Sequence, residues 1–271
     1  MEDYPGSLAQ GSVLFSDSAD WEAHAGPLDV KMRRPSFVPT LVKMASTGRP
    51  AEKLAAARAL TLLTSENTAT HDVNENRTSI VSAKGHKALL AMLSENDSLA
   101  NLAAPDTTVF LAREAAAAAL ANLCASADGR EAVVGASGIT VLVAALVREE
   151  AEELLKYCCG ALGNLASENQ DAIAAAGGIE ALISLAKAVG IKEEDEEGCE
   201  KASLDEAEED NGLEINASIA LRKLAIDNAP NYKKMKEALT ESMLRYFLHA
   251  ELPPEGLVPE EERAPPDAFV S

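Results

Sequence analysis

The stretch "GALGNLASENQDAIAAAGGIEALISLA", Gly160 to Ala186, decides how the chain is read. An Ala- and Leu-rich run carries an asparagine, and a Gly-Gly pair then precedes a second apolar run. A similar stretch, "AALANLCASADGREAVVGASGITVLVAAL", lies upstream at 118–146. Placing Asn164 on Asn122 aligns the two stretches at an offset of 42 residues. Self-similarity at such a period indicates a repeat architecture.

The signature of small residues and leucine occurs four times along the chain. Its leucines are 60, 42 and 59 residues apart, so two of the gaps hold 17 or 18 extra residues. One insertion is the polar segment around 94–108, and the other is the acidic segment 191–212. Insertions into the loops of a stacked array cost little free energy, so the period survives them. The four signatures are "ARALTLLT" (57–64), "AAALANLC" (117–124), "CGALGNLA" (159–166) and "SIALRKLA" (218–225).

Each unit has the same predicted order of helices. A short first helix leads to a glycine, an apolar second helix follows, and the longest, third helix carries the signature. Apolar residues at i, i+3, i+4 and i+7 mark the buried face of each helix. We expect the glycines to supply the left-handed residue between the first two helices. The predicted first helices are 75–83, 128–136 and 168–176, followed by Gly85, Gly138 and the pair Gly177-Gly178.

The net charge of −20 disfavours binding to nucleic acid or anionic lipid, because phosphate contacts need Lys and Arg. The charge is uneven: segment 191–212 has eleven acids against two lysines, and 251–271 has six acids against one arginine. These two segments carry −14 of the −20. We interpret the first as a solvated loop or a dock for a basic partner, and the second, with five prolines, as a disordered tail.

No motif in the sequence predicts catalysis, a metal or a cofactor. The four histidines are isolated, and no phosphate-binding glycine loop opens a helix. The N-terminus "MEDYPGSLAQ" has no secretory pattern. Cysteines outside ligand spacings are typical of a reduced protein of the cytoplasm or nucleus. The chain has four of them, Cys124, Cys158, Cys159 and Cys199.

Three helices in about 42 residues, with glycine after the first, resemble the armadillo repeat. The resemblance implies an all-α, right-handed superhelix of about four to five units. It covers 36–251, between an N-terminal segment (1–35) and the tail (252–271). The first unit is partial, with helices near 37–46 and 51–64, and three full units follow. The last, near 230–250, has Thr240 in place of the turn glycine.

In armadillo proteins the third helices line a concave groove, and an asparagine there holds the backbone of an extended peptide. An amide suits this role because it offers both a donor and an acceptor. Asn122 and Asn164 match that position, and Leu62 and Lys223 occupy it in the outer units. The alternative is that both asparagines are only polar residues near helix ends. Further predicted groove residues are Arg58, Glu114, Lys156 and Tyr157.

The leading hypothesis is a non-enzymatic adaptor, similar to vacuolar-protein-8-like and catenin-like scaffolds. It would be a monomer that binds extended or basic segments of other proteins. The residues one turn before the groove position are Arg58, Ala118, Gly160 and Ile219. None is the Trp that importin-like adaptors use, which disfavours nuclear-signal recognition. The alternatives are an Hsp70 nucleotide-exchange cochaperone, or a fragment of a larger armadillo scaffold, ubiquitin ligase or transport protein.

Overall fold

The structure, a computed structural model, describes residues 35–65, 73–95, 107–148, 151–188, 212–240 and 243–244. Within these ranges the chain forms eleven α-helices, preceded by a short 3-10 turn at Pro35–Phe37, and no strand. The all-α prediction is therefore confirmed. Four predicted features lie wholly or mainly outside the described residues: the N-terminal segment, the polar insertion, the acidic insertion and the tail. The predicted array boundaries, 36 and 251, stay a prediction.

The helices follow the predicted order of units. Helices α1 and α2 are the second and third helices of a partial first unit, and α3, α4 and α5 form the next. Helix α8 serves two units, and α11 begins the last one. The bounds are α1 Val38–Thr47, α2 Pro50–Thr64, α3 Val73–Ser82, α4 Gly85–Ser94, α5 Thr107–Leu123, α6 Ala127–Gly135, α7 Gly138–Arg148, α8 Glu152–Ala175, α9 Gly178–Ala188, α10 Gly212–Ala225 and α11 Ala229–Ala238.

The third helices pack side by side in the order α2, α5, α8 and α10, with the most extensive helix contacts in the fold. Their surfaces are rich in alanine and glycine, which lets the helices approach closely. A Cβ added to Gly163 of α8 would lie 3.5 Å from the Cα of Ala220 in α10. The leucines of the repeated signature, such as Leu120 and Leu162, are fully buried in one continuous core. Each unit therefore buries its apolar faces against its neighbours.

The turn between the first and second helices uses two residues. In two units the sequence prediction assigned the left-handed conformation to the wrong one of them. The left-handed residues are Lys84 (φ 62°), Ser137 (φ 60°) and Gly177 (φ 82°). The glycine that follows each of them begins the next helix and packs closely instead. A Cβ added to Gly138 would lie 2.3 Å from Val133 Cγ1. Close packing, rather than a left-handed backbone, therefore requires glycine at this second position.

Helix α8 contains a third helix and the first helix of the next unit, so the first helix predicted at 168–176 is present as the segment after a kink. The joint is a kink at Asn169 (φ −134°, ψ 29°). In the preceding unit the two helices are separate, and Ser126 is the N-cap of α6. Its Oγ accepts a hydrogen bond from Gly129 N at 3.2 Å. The aligned sequence has two residues fewer between Leu165 and Asn169 than between Leu123 and Gly129. The shorter connection leaves no room for a separate cap.

The last unit turns differently from the others, as its altered sequence predicted. Leu239 is extended (φ −118°, ψ 148°), so no left-handed residue is needed there. Thr240 then caps the next turn, its Oγ1 accepting from Met243 N at 3.4 Å. Met243 is buried and Leu244 packs against the core. The core therefore extends into the last unit at least to residue 244.

Candidate functional site

The candidate site is the surface of the third helices that corresponds to the concave side of an armadillo array. We call it the third-helix face and define it by three rows of equivalent positions, each taken from α2, α5, α8 and α10 in turn. The rows are Leu54, Glu114, Lys156 and Ile215; Arg58, Ala118, Gly160 and Ile219; and Leu62, Asn122, Asn164 and Lys223.

Both asparagines hydrogen-bond to the preceding third helix rather than to their own helix ends. Asn164 Nδ2 donates to the carbonyl of Ala121 in α5 at 3.1 Å. Asn122 Nδ2 donates to the carbonyl of Thr61 in α2 at 3.5 Å, which is long for such a bond. Asn122 is also the penultimate residue of α5, so the alternative reading, a polar residue near a helix end, fits its position as well. Both asparagines connect adjacent units.

The two amides differ in their acceptor oxygens. Asn122 Oδ1 is buried and accepts no hydrogen bond from any described residue. An unpaired buried acceptor costs about 1–3 kcal/mol. The whole Asn122 side chain is buried, and Asn164 is only 3% exposed. In this state neither asparagine faces solvent, although the sequence prediction placed both in an open groove.

A cluster of charged side chains lies two turns before the asparagines. Burial raises the pKa of Glu114, and the neighbouring Glu153 carboxylate raises it further, while Arg58 and Lys156 act in the opposite direction. Lys156 is buried, with its Nζ 2.7 Å from Glu153 Oε1 and 5.7 Å from the centre of the Tyr157 ring. The structure thus brings together four residues that the sequence proposed separately: Arg58, Glu114, Lys156 and Tyr157.

Lys223 does not belong to this cluster. Burial lowers the pKa of Lys223, and the nearby positive charge of Arg130 lowers it further. Its carbonyl accepts from Gln170 Nε2 at 2.7 Å, at the junction of third and first helices. Lys223 therefore lies at the edge of the third-helix face, where the connections between units run.

Sequence reasoning missed a second set of asparagines, which bind the ends of third helices. Asn76 Nδ2 and Asn231 Nδ2 donate to the carbonyls of Leu63 and Leu224, each at 3.0 Å. Asn169 Nδ2 donates to the Leu165 carbonyl at 3.1 Å, at the kink in α8. A signal was present in the sequence. The three asparagines lie nine residues before Gly85, Gly178 and Thr240, and in the remaining unit Gly129 lies nine residues before Gly138. The orphan carbonyls of a helix end are satisfied here by side chains.

The described residues form no candidate metal centre. They contain no group of three or more His, Cys, Asp or Glu side chains arranged to hold a metal ion. Cys124, Cys158 and Cys159 are buried free thiols. No single helix in the described ranges combines the length and apolarity needed to cross a bilayer.

Comparison with known proteins supports the repeat assignment. Residues 126–167 match the family model of the armadillo/beta-catenin-like repeat. This is the unit formed by α6, α7 and the first part of α8, which contains Asn164. A search of curated protein sequences finds no significant match.

Solved structures have the same fold. A crystal structure of an engineered protein matches with TM-score 0.58 and 24% identity, over 86% of this chain and 85% of that one. A designed armadillo repeat protein matches with TM-score 0.55 and 20% identity, over 74% and 70%. Another, in complex with peptide (KR)4, matches with TM-score 0.56 and 19% identity, over 83% and 84%. Residues 126–167 therefore match an armadillo/beta-catenin-like repeat, and the chain has the fold of armadillo repeat proteins.

Proposed function

We propose that this protein is a non-enzymatic adaptor that binds an extended segment of another protein along the third-helix face. The observation that carries the proposal is the buried, unpaired acceptor of Asn122 among the described residues. Its Nδ2 already donates to the Thr61 carbonyl, so only Oδ1 is left to accept a hydrogen bond. A backbone N–H of an extended segment is a donor of the required kind.

Reaching Asn122 requires neighbouring side chains to move, because no part of Asn122 is exposed. The bond to Thr61 is long, so the amide loses little if it turns toward a ligand. Asn164, with a shorter bond to Ala121, holds units together and is the less adaptable of the two. We therefore assign peptide contact first to Asn122.

The charged cluster indicates which segments fit. Burial and then Glu153 raise the pKa of Glu114, and they outweigh the opposite effect of Arg58 and Lys156, so a further cation beside these carboxylates would stabilise the ionised Glu114. A segment carrying Lys or Arg supplies that cation. The designed relative complexed with peptide (KR)4 has the same fold. The proposed partners are therefore extended, basic segments of proteins in the cytoplasm or nucleus.

A fluorescence anisotropy titration with labelled (KR)4 peptide tests the proposal. Asn122→Ala leaves the net charge unchanged, so general attraction of a basic peptide to an acidic chain is unaffected. We expect this variant to bind about tenfold more weakly, which corresponds to about 1.4 kcal/mol, the value of one hydrogen bond. A Gly-Ser peptide of equal length serves as the ligand control.

The contribution of charge to peptide binding is tested with a matched pair of variants. Glu114→Gln and Glu237→Gln each remove one negative charge, but Glu237 is exposed on α11, away from the third-helix face. We expect only Glu114→Gln to weaken binding beyond the general effect of charge. Equal affinity of wild type and Asn122→Ala, with the circular dichroism spectrum unchanged, would refute the proposed role of the face.

A further inference from the structure

Helix α10 gives the third-helix face a different chemistry from the two helices before it. In the first row of the face, α5 and α8 carry Glu114 and Lys156, whereas α10 carries Ile215. One turn later α10 has Ile219, where α5 has only an alanine and α8 a glycine. Residues four apart lie on the same side of a helix. We call Ile215 and Ile219 the isoleucine pair, and the face changes from charged to apolar where this pair begins.

The isoleucine pair is more accessible than the asparagines of the face. Ile215 is 55% exposed and Ile219 is half-buried, whereas Asn122 is fully buried. A ligand therefore reaches Ile215 before any side chain of the fold moves. Covering an exposed aliphatic side chain removes apolar surface from water, so an apolar group of a ligand gains affinity here.

Two contacts place the isoleucine pair beside the charged cluster. Asn216 Nδ2, next to the first isoleucine, donates to the carbonyl of Lys156 at 3.4 Å, and Lys156 Nζ lies 2.7 Å from Glu153 Oε1. Farther along, a Cβ added to Gly163 would lie 3.5 Å from the Cα of Ala220, which follows the second isoleucine. Helices packed this closely have axes about 8–10 Å apart. The pair therefore lies one helix away from the carboxylate of Glu153.

We propose that the segment bound by the third-helix face carries a large apolar side chain close to a Lys or Arg. The isoleucine pair binds the apolar side chain, and the carboxylates of Glu114 and Glu153 bind the cation. This inference rests on the proposed function, because it states which basic segments the face selects. It makes Ile215 and Ile219 the residues that distinguish a basic and apolar segment from one that is only basic.

The distance between the two contacts sets the spacing of the side chains on the bound segment. An extended chain rises about 3.3 Å per residue, and alternate side chains point to the same side. Two residues therefore span about 7 Å and four span about 13 Å. These lengths bracket the step of about 8–10 Å from α8 to α10. The apolar residue should accordingly lie two or four positions from the cation.

Charge favours such a segment over a second copy of this chain. A second copy would bring another net charge of −20 to a face whose charged cluster contains Glu114 and Glu153. A basic segment brings the opposite charge, and its apolar side chain then covers the isoleucine pair.

Anisotropy titrations with matched peptides test the inference. One labelled peptide is (KR)4 with a glycine and then a leucine added at each end, so that leucine lies two positions from a cation in either direction. Its partner has serine in place of each leucine and the same charge. We expect the leucine peptide to bind the wild type about tenfold more tightly, because one aliphatic side chain becomes buried. Leucines separated from the cations by a long Gly-Ser segment should give a smaller gain.

Three variants assign the gain to the isoleucine pair. Ile215→Ser should reduce it to about twofold or less, whereas Ile215→Leu should keep it. Val147→Ser is the matched control, because Val147 is a 75% exposed aliphatic residue on α7, outside the third-helix face. We expect all three variants to bind the serine peptide as the wild type does, since none of them changes the charge.

Three results would overturn the inference. The first is equal affinity of the wild type for the leucine and serine peptides. The second is a gain that persists in Ile215→Ser, which would place the apolar contact elsewhere. The third is a wild-type dimer that Ile215→Ser converts to a monomer in sedimentation, which would assign the pair to a second copy. Asn122→Ala should weaken the binding of both peptides equally, so the proposed function and this inference can fail separately.

Discussion

Two neighbouring residues between the first and second helices of each unit have different roles. The first adopts the left-handed conformation, which Lys84 and Ser137 tolerate at some cost and Gly177 adopts freely. The second needs the absence of a side chain, because Gly85, Gly138 and Gly178 each approach an apolar residue of the first helix. The sequence showed that glycine was required at the turn but did not show for which of these reasons.

Gly138→Ala should lower the free energy of unfolding by about 1–3 kcal/mol, because the new Cβ would overlap Val133. Gly135→Ala is the matched control in the same unit, since a Cβ there meets nothing within 4 Å. We expect that variant to be neutral or to stabilise by up to about 1 kcal/mol. Urea unfolding followed by circular dichroism compares the two, and equal destabilisation by both would contradict the packing argument.

The buried thiols make stability depend on alkaline pH. Burial raises the pKa of Cys124 from its ordinary value of 9.0 to about 12. Since the folded-state pKa is raised, the stabilisation by the bound proton is complete below pH 9.0 and is lost as the pH rises toward about 12. In wild type we expect the free energy of unfolding to fall by up to about 1.4 kcal/mol per pH unit above pH 9.0.

Urea titrations at several pH values measure this slope, and Cys124→Ala should reduce it. In a Cys199→Ser background, the remaining thiols should react with a thiol reagent at pH 8 only as fast as the protein unfolds. A rapid reaction of the folded protein would show that the core admits solvent.

At the scale of helices, short connections and side-chain amides decide how units meet. The connection from Leu165 to Asn169 is two residues shorter than the equivalent one in the preceding unit. The third helix therefore continues into the next first helix with only a kink between them. Asparagines at the start of first helices then bind the carbonyls at the end of the preceding third helix. These amides are buried, so each bond lost leaves an unpaired carbonyl.

Asn231→Ala should therefore destabilise the protein by about 1–2 kcal/mol, because the Leu224 carbonyl loses its buried donor. Glu237→Ala, an exposed substitution on the same helix, should change the free energy of unfolding by less than about 0.5 kcal/mol. Thermal and urea unfolding of both variants test the difference. Equal stability of the two would mean that the amide does not contribute to joining α10 and α11.

For the whole molecule, stability should vary along the array. Helices α5 and α8 each pack between two third helices, whereas α2 and α10 have one such neighbour among the described residues. In a stacked array each unit is stabilised mainly by its nearest neighbours, so the ends open more readily than the centre.

Hydrogen exchange measured by mass spectrometry should therefore be slowest in α5 and in the first part of α8. It should be faster in α11, which makes fewer contacts with the rest of the fold. A protein that exchanges uniformly, with α11 as slow as α5, would instead be a single cooperative unit. The same experiment on Gly138→Ala should accelerate exchange chiefly in α6 and α7.

The sequence alone determined the repeat and the class of fold, and it proposed the position of the candidate site. Helical periodicity and a period of about 42 residues are local properties, and they identify which face of each helix is buried. It also placed Arg58, Glu114, Lys156 and Tyr157 on equivalent helices, although not in contact.

Only the tertiary structure decided which atoms meet. Whether the amide of Asn122 reaches solvent or the Thr61 carbonyl depends on the distance between adjacent helices, which their alanines and glycines set. Likewise, the isoleucines of α10 appear in the sequence as ordinary core residues. In the structure Ile215 and Ile226 are exposed and Ile219 is half-buried, and this depends on how the units stack.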